Sequence, residues 1–468
     1  MVPFLPKQIA SRAIITYLLA LVAISLFFSD YSMKFGYMVL GVTFVVSFFF
    51  LSNYWSKGKS ILSERKFLIT LFIVALLLRL IWVIASYFYY IKATGIPFEI
   101  DTADALGYHE EARWLASESF AYTWEVYFGK NSVGISDVGY PLYLSILYRI
   151  TGPVVIIPRL IKAFISAFTC VLVYKLSSRT FGESIARMAA IMMALMPNLI
   201  IYCGYHLKET EMVFLEVAFL ERVDYLLRSK RVSFWALIPP TLLAGSLFFF
   251  RTVLGLAAVF AFATATLLLN VSSMKKGWKR TAIIGWGVLC LAIVSSGTVM
   301  TEIESIWEEK EENASLKRMD QTSGGSQWAQ YATGAVMVPM VFVLPFSTMV
   351  DVDQQYAQQT KHGGNYVRNF MGFFALLAVY EAIRRKKWRA FSLIGAFAIA
   401  YLGVVSLSGF SNSERFLLPG LPCLVMMWAY GVSELREQTF KFLTPWCVVV
   451  FAMEFAWAFF KLGTRGLF

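Results

Sequence analysis

The chain has 468 residues, of which 58% are hydrophobic, 16% aromatic and only 15% charged. A soluble domain carries about a quarter charged residues, so this composition, with a mean hydropathy of +0.62, excludes an ordinary soluble fold. The net charge of +12 does not point to nucleic acid, because the basic residues fall in short clusters between apolar runs.

In lipid a helix satisfies its own backbone, and a crossing takes about 20 apolar residues. The sequence supplies such runs repeatedly, so the expected fold is all-α: a polytopic helical membrane protein with about thirteen transmembrane helices. The spans are expected near 12–29, 34–53, 67–91, 155–176, 184–203, 210–227, 234–250, 252–270, 281–300, 366–384, 390–408, 416–433 and 443–461. The first, with Lys7 and Arg12 before it and Ser29-Asp30-Tyr31 after it, reads as a retained signal-anchor. Starting inside, this count puts four basic clusters on one side: Lys57 to Lys66, Arg228 to Arg231, Lys275 to Arg280 and Arg384 to Lys387. Such clusters mark cytoplasmic loops. Segment 92–154 instead holds eight acidic and four basic residues, and 302–320 is acidic too, so both belong outside.

The chain divides into two N-terminal helices (1–66), a core (67–300) with an outer juxtamembrane loop (92–154), an outer loop (301–365) and C-terminal helices (366–468). Segment 234–270 is too long for one crossing, and Arg251 in its middle marks an outer hairpin turn. Segment 102–150 reads as two juxtamembrane helices. Tyr108, Ala112 and Leu115 recur at helical spacing in the first, along the membrane surface, and Pro141 opens the second. Run 332–349 reads as a re-entrant or surface-lying element, since a full span there would place Arg384 to Lys387 outside.

The five cysteines, Cys170, Cys203, Cys290, Cys423 and Cys447, stand singly and indicate neither a zinc knuckle nor a disulfide framework. Asp101 and Asp104 stand where the span 67–91 has emerged into water. Two carboxylates three apart can share one helix face, and partial desolvation at a lipid–water boundary makes a carboxylate a better base. Helix capping is the other use of aspartate there; position favours chemistry for Asp104 and leaves Asp101 balanced. The outer loop His206-Leu207-Lys208-Glu209 is either a second acidic motif facing the first or a solvated turn with Lys208 and Glu209 paired. Arg251 and Arg415, at outer helix ends, are not placed by the positive-inside rule. Guanidinium groups match phosphate oxygens, and snorkelling is the alternative. His109, His206 and His362 all fall on outer elements, without the ligand spacing that would argue for a divalent metal. Lys361 and Asn365 beside His362 are candidates to line the same cavity. Mid-span Arg79 and Glu216 are expected to face the bundle interior. Walker, Rossmann and Ser–His–Asp patterns are all missing, so ATP or nucleotide-sugar use has no support.

At this point the chain resembles a membrane glycosyltransferase of the GT-C class, most nearly glycosyltransferase family 39, which includes protein O-mannosyltransferases and lipid A aminoarabinose transferases. The resemblance rests on the order of Asp104, Tyr108 and Ala112; Gly139-Tyr140-Pro141; Arg159; Arg179-Thr-Phe-Gly182; Pro197 with Glu209; and Arg415-Phe416 with Pro419 and Pro422. It covers roughly 67–430. The sequence departs from the family pattern at Ala105, where the family often has Glu, and at Glu209, where it often has Asp.

The resemblance implies a polyprenyl-phosphate-linked sugar donor and an extracytoplasmic site in the cytoplasmic (inner) membrane. A glycan, lipid or protein would be the acceptor, in cell envelope glycan assembly. It implies Asp104 as general base with Asp101 and Glu209 as further catalytic carboxylates. Arg415, Arg251, Lys208, Tyr108, Tyr140, His206 and His362 are the substrate-binding candidates. No cofactor is certain, and a divalent metal stays open. Two other classes remain: a polysaccharide polymerase or ligase depending on outer arginines, and a lipid-linked sugar transporter or flippase without chemistry.

Overall fold

The computed structural model describes residues 4–58, 62–100, 103–128, 138–229, 234–268, 340, 342–351, 356–407 and 413–463. The expected span 281–300, the acidic stretch 302–320, Asp101 and most of the loop 301–365 lie outside these residues. The described elements are helical, with a single isolated antiparallel bridge between Ser32 and Val350.

The N-terminal part holds α1 (Lys7–Phe27), then α2 (Phe35–Val46), which runs through a π-turn at Ser47–Leu51 into α3 (Ser52–Gly58). The long α4 (Glu64–Thr94) is followed by three short helices, α5 (Ala103–Ser117), α6 (Phe120–Phe128) and α7 (Gly139–Thr151). The core continues with α8 (Ile156–Phe181), α9 (Glu183–Leu195), α10 (Pro197–Ile201) and α11 (Glu209–Arg228). Then come α12 (Ile238–Phe250), α13 (Thr252–Leu268), α14 (Tyr356–Arg384) and α15 (Ser392–Leu407). The chain closes with α16 (Glu414–Leu417), α17 (Leu421–Ser433), α18 (Glu437–Phe440) and α19 (Leu443–Gly463).

Among the described residues eight helices are long and apolar enough to cross a bilayer, and nine if α9 and α10 count as one bent crossing. The structure thus shows an all-α multi-pass membrane protein. The expected span 210–227 corresponds to α11, but Glu209, Glu211, Glu216, Glu221 and Asp224 are buried along it, which keeps it out of the apolar class. The run 234–270 is the hairpin α12–α13, both arms too short for that class, with its break at Arg251. The segment 102–150, expected to hold two helices, has three short ones among its described residues.

Helix α8 packs on α4, α9 and α11, while α17 lies between α14 and α9 at the most buried place in the bundle. Helices α13 and α15 pair on one flank, and α1 and α19 on the other. Gly182 separates α8 from α9 with φ +93°, a left-handed conformation that glycine adopts without a Cβ penalty. This accounts for the basic-Phe-Gly turn read in the sequence.

The expected span 184–203 is broken by 51° at Met196. Proline has no N–H and ends a helix running into it. The break leaves the carbonyls at the end of α9 without intrahelical donors. Arg79 of α4 supplies them: Nη1 donates to Ala194 O at 3.1 Å and Nη2 to Met193 O at 3.3 Å, while Nε donates to Ser166 Oγ at 2.7 Å. Trp82, one turn on, donates to Ile201 O at the end of α10. Mid-span Arg79 is therefore a backbone cap, and it fixes the bend that turns the chain toward Glu209. Arg79→Met should cost roughly 2–4 kcal/mol, the penalty for leaving two buried carbonyls unbonded. Thermal unfolding in detergent would show it as a lowered midpoint, and an unchanged midpoint would refute the cap.

Residues 342–351 form an irregular buried segment held by α14 and α19. Asn369 donates to Pro345 O at 2.9 Å, and Glu454 accepts from Ser347 N at 3.0 Å and Ser347 Oγ at 3.2 Å. Irregular backbone inside a bundle needs such partners. The described part of run 332–349 is therefore sheltered in protein rather than laid on a surface.

Candidate functional site

The site is assembled from three helix starts. Helix α5 opens at Ala103, placing Asp104 in its first turn; α11 opens at Glu209; and Arg415 sits in the single turn α16, which Pro419 prevents from continuing. Carboxylates in first turns are favoured by the unbonded N–H groups there. These residues lie far apart in sequence, yet the Arg415 guanidinium joins them. Its Nε donates to Glu209 Oε1, its Nη1 to Asp104 Oδ2, and its Nη2 reaches Tyr108 Oη at 3.4 Å. The Glu209 side chain is wholly buried, whereas that of Asp104 is 55% exposed. The partial desolvation expected for Asp104 is thus not what distinguishes it; its ion pair is.

Arg251, at the α12–α13 break, stacks its guanidinium 4.5 Å above the Phe416 ring and donates to Tyr401 Oη at 3.3 Å. Tyr401 in turn donates to Phe416 O at 2.8 Å, so Arg251 braces the turn that carries Arg415. The fields of Arg415, Arg251 and Lys208 all fall on Glu209.

Behind this cluster is a buried polar layer. Lys208 is fully buried, with its ammonium 5.8 Å from the centre of the Tyr108 ring. Tyr140, also fully buried, meets Tyr108 edge-on at 5.1 Å. His206 is buried against Tyr148, which also bonds His109: His206 Nε2 lies 3.2 Å and His109 Nδ1 2.9 Å from Tyr148 Oη. Burial first, then the cations Lys162 and Arg159 and the neighbouring His109, push His206 well below the ordinary histidine range. Lys208, Tyr140 and His206, expected to bind substrate, therefore support Tyr108 and Glu209 from beneath. His362 is placed elsewhere. Its Nε2 meets Tyr17 Oη at 2.7 Å and its Nδ1 meets Gln359 O at 2.6 Å, fully buried in the core.

Since His206 is neutral when folded but protonates near pH 6.5 when unfolded, stability is full above that pH. It should fall as pH drops below about 6.5. His206→Gln should flatten this slope of melting temperature between pH 7 and 5; an unaltered slope would assign it to other groups.

Sequence reading overlooked the residues that hold the loop 205–208. Glu99 accepts the His206 N–H with both oxygens, at 3.1 Å each, and pairs with Arg159 at 3.3 Å. Burial raises the Glu99 carboxyl above its ordinary range, opposed by Arg159. Lys162 of α8 donates to Tyr205 O at 3.0 Å and to Leu207 O, and lies 3.6 Å from Glu211. A lysine within an apolar run was the available signal, since such residues are costly in lipid. Glu414, next to Arg415, was also overlooked. It pairs with Lys361 at 3.2 Å and accepts from Asn198, whose amide also bonds Asn365 at 2.9 Å. Asn198 fits because Gly364 is opposite: a Cβ there would lie 1.4 Å from Asn198 Oδ1.

Among the described residues no three His, Cys, Asp or Glu side chains are grouped as metal ligands would be. His109 and His206 share Tyr148, whereas His362 lies apart from them with Tyr17 and Gln359. Asp101 lies outside the described residues.

The arrangement presents a fixed guanidinium beside an exposed carboxylate and a tyrosine hydroxyl. That set can bind a phosphate and accept a proton close to it. Comparison with family models and with curated proteins finds no match for the chain.

Proposed function

We propose that the protein is a membrane glycosyltransferase. It would move a sugar from a polyprenyl-phosphate carrier to an acceptor hydroxyl on the extracytoplasmic side of the cytoplasmic membrane. The observation that carries this reading is the Asp104–Arg415–Glu209 constellation, drawn from three distant segments to one point with one carboxylate exposed and the other buried. The topology behind it uses about thirteen crossings. Glu209 and Arg228 stand at opposite ends of α11, about 28 Å apart at helical rise, roughly a bilayer core. The ion pairs of Arg179 with Glu221 and Asp224, and of Arg385 with Glu381 and Glu434, belong to the Arg228 end. Arg228 and the Arg384 to Lys387 cluster at that end support reading it as a cytoplasmic face.

In the proposed reaction Arg415 holds the donor phosphate. Asp104 takes the proton from the acceptor hydroxyl as its oxygen attacks the anomeric carbon with inversion. The bond from that carbon to the phosphate oxygen breaks, and the carrier leaves as a polyprenyl phosphate whose added charge Arg415 stabilises. Glu209 keeps the guanidinium in place, and Arg251 braces the turn.

The direct test is the purified protein in liposomes with a radiolabelled polyprenyl-phosphate sugar and an envelope extract as acceptor. Label should pass from carrier to a new product. Label that crosses the bilayer still on its carrier would mark a transporter instead.

A further inference from the structure

Arg415 is gripped on two edges, and the two grips differ in kind. Its Nε faces Glu209, which has no exposed surface. Its Nη edge faces Asp104, more than half exposed, and Tyr108 Oη. A guanidinium presents its donors in a rigid fork, and two parallel N–H groups match two phosphate oxygens. The edge held by the exposed partner is thus the one a phosphate would take. Glu209 cannot leave Nε without stranding a buried charge, which is strongly unfavourable. Asp104, on an exposed first turn, can swing into water at little cost, since exposed ion pairs are weak.

From this asymmetry, and resting on the reading above, we propose that Asp104 is a stand-in for the donor phosphate on Arg415, and that Glu209 is the positioning residue that keeps the fork aimed. An arriving phosphate replaces Asp104 on the Nη edge. Asp104 is then released toward the acceptor as its proton acceptor. Without donor, the carboxylate stays occupied by Arg415, so the order is donor first and acceptor second. The exchange is one anion for another on the same cation, with no proton or covalent step of its own.

The experiment measures binding of undecaprenyl phosphate, and separately of inorganic phosphate, to the full chain in detergent. Asp104→Asn removes the competing charge and should bind undecaprenyl phosphate up to about fivefold tighter, the worth of an exposed ion pair, while sugar transfer by the same preparation falls. Glu209→Ala should bind at least about tenfold more weakly, with Glu209→Gln restoring part of the loss. Inorganic phosphate should show the same order at much lower affinity, because the phosphate and not the lipid tail displaces Asp104. Asp104→Asn binding no tighter than the unaltered protein would overturn the proposal, as would an order seen with the lipid but reversed with inorganic phosphate. Should Glu209→Ala fail to fold, the exposed Asp104 arm decides alone. Unchanged binding by Arg415→Ala would instead bring down the phosphate site itself.

Discussion

Arg415→Ala should lower sugar transfer by about 10²–10³-fold, the usual effect of removing a donor that stabilises developing charge. It should also weaken donor binding, since the guanidinium is the cation at the junction of Asp104 and Glu209. The same change strands a buried Glu209 and should cost about 3 kcal/mol of stability. The two effects separate in Arg415→Ala combined with Glu209→Gln, which removes the buried charge and should regain stability without regaining transfer. Arg415→Lys keeps a charge but not the fork, and should recover only a part. Transfer rates beside melting temperatures, measured in detergent, check this. If the double variant regains transfer, Arg415 acts only through the fold.

Asp104→Asn should reduce turnover by about 10²–10⁴-fold while leaving the melting temperature nearly unchanged. Loss of a general base carries a penalty of that size, and an exposed ion pair contributes little to stability. Turnover close to that of the unaltered protein, in a folded preparation, would remove Asp104 from the chemistry. It would also favour a polymerase- or ligase-like mechanism, in which Arg415 and Arg251 matter more than a carboxylate.

The positions of most crossings are legible in the sequence, because apolar length is the signal lipid imposes. The break at Arg251 is legible for the same reason. Helix α11 shows where that signal weakens: its five buried acids lower its hydropathy, although it packs inside the bundle. The bend at Met196 is foreshadowed only by Pro197, and its cap by Arg79 depends on α4 meeting α9 in space. Asp104, Glu209 and Arg415 could be grouped because motif order and topology put all three on one side. Topology places a loop, however, and not the direction of its side chains. His206 and Lys208 belong to a loop of outer polarity, yet Glu99 and Lys162 from elsewhere draw its backbone inward and bury both. His362 likewise turns into the core, toward Tyr17, a partner more than three hundred residues away. Lys162 is marked in the sequence only as a charge within an apolar run, and Glu99 not at all, because both act on backbone groups of a distant loop.

The proposed chemistry depends on where a donor phosphate sits. The most direct measurement is a structure of the full chain with undecaprenyl phosphate bound. The phosphate should lie on the Nη edge of Arg415, with Glu209 still on Nε and Asp104 turned away from the guanidinium. A phosphate bound elsewhere, with the Asp104–Arg415 pair intact, would contradict it.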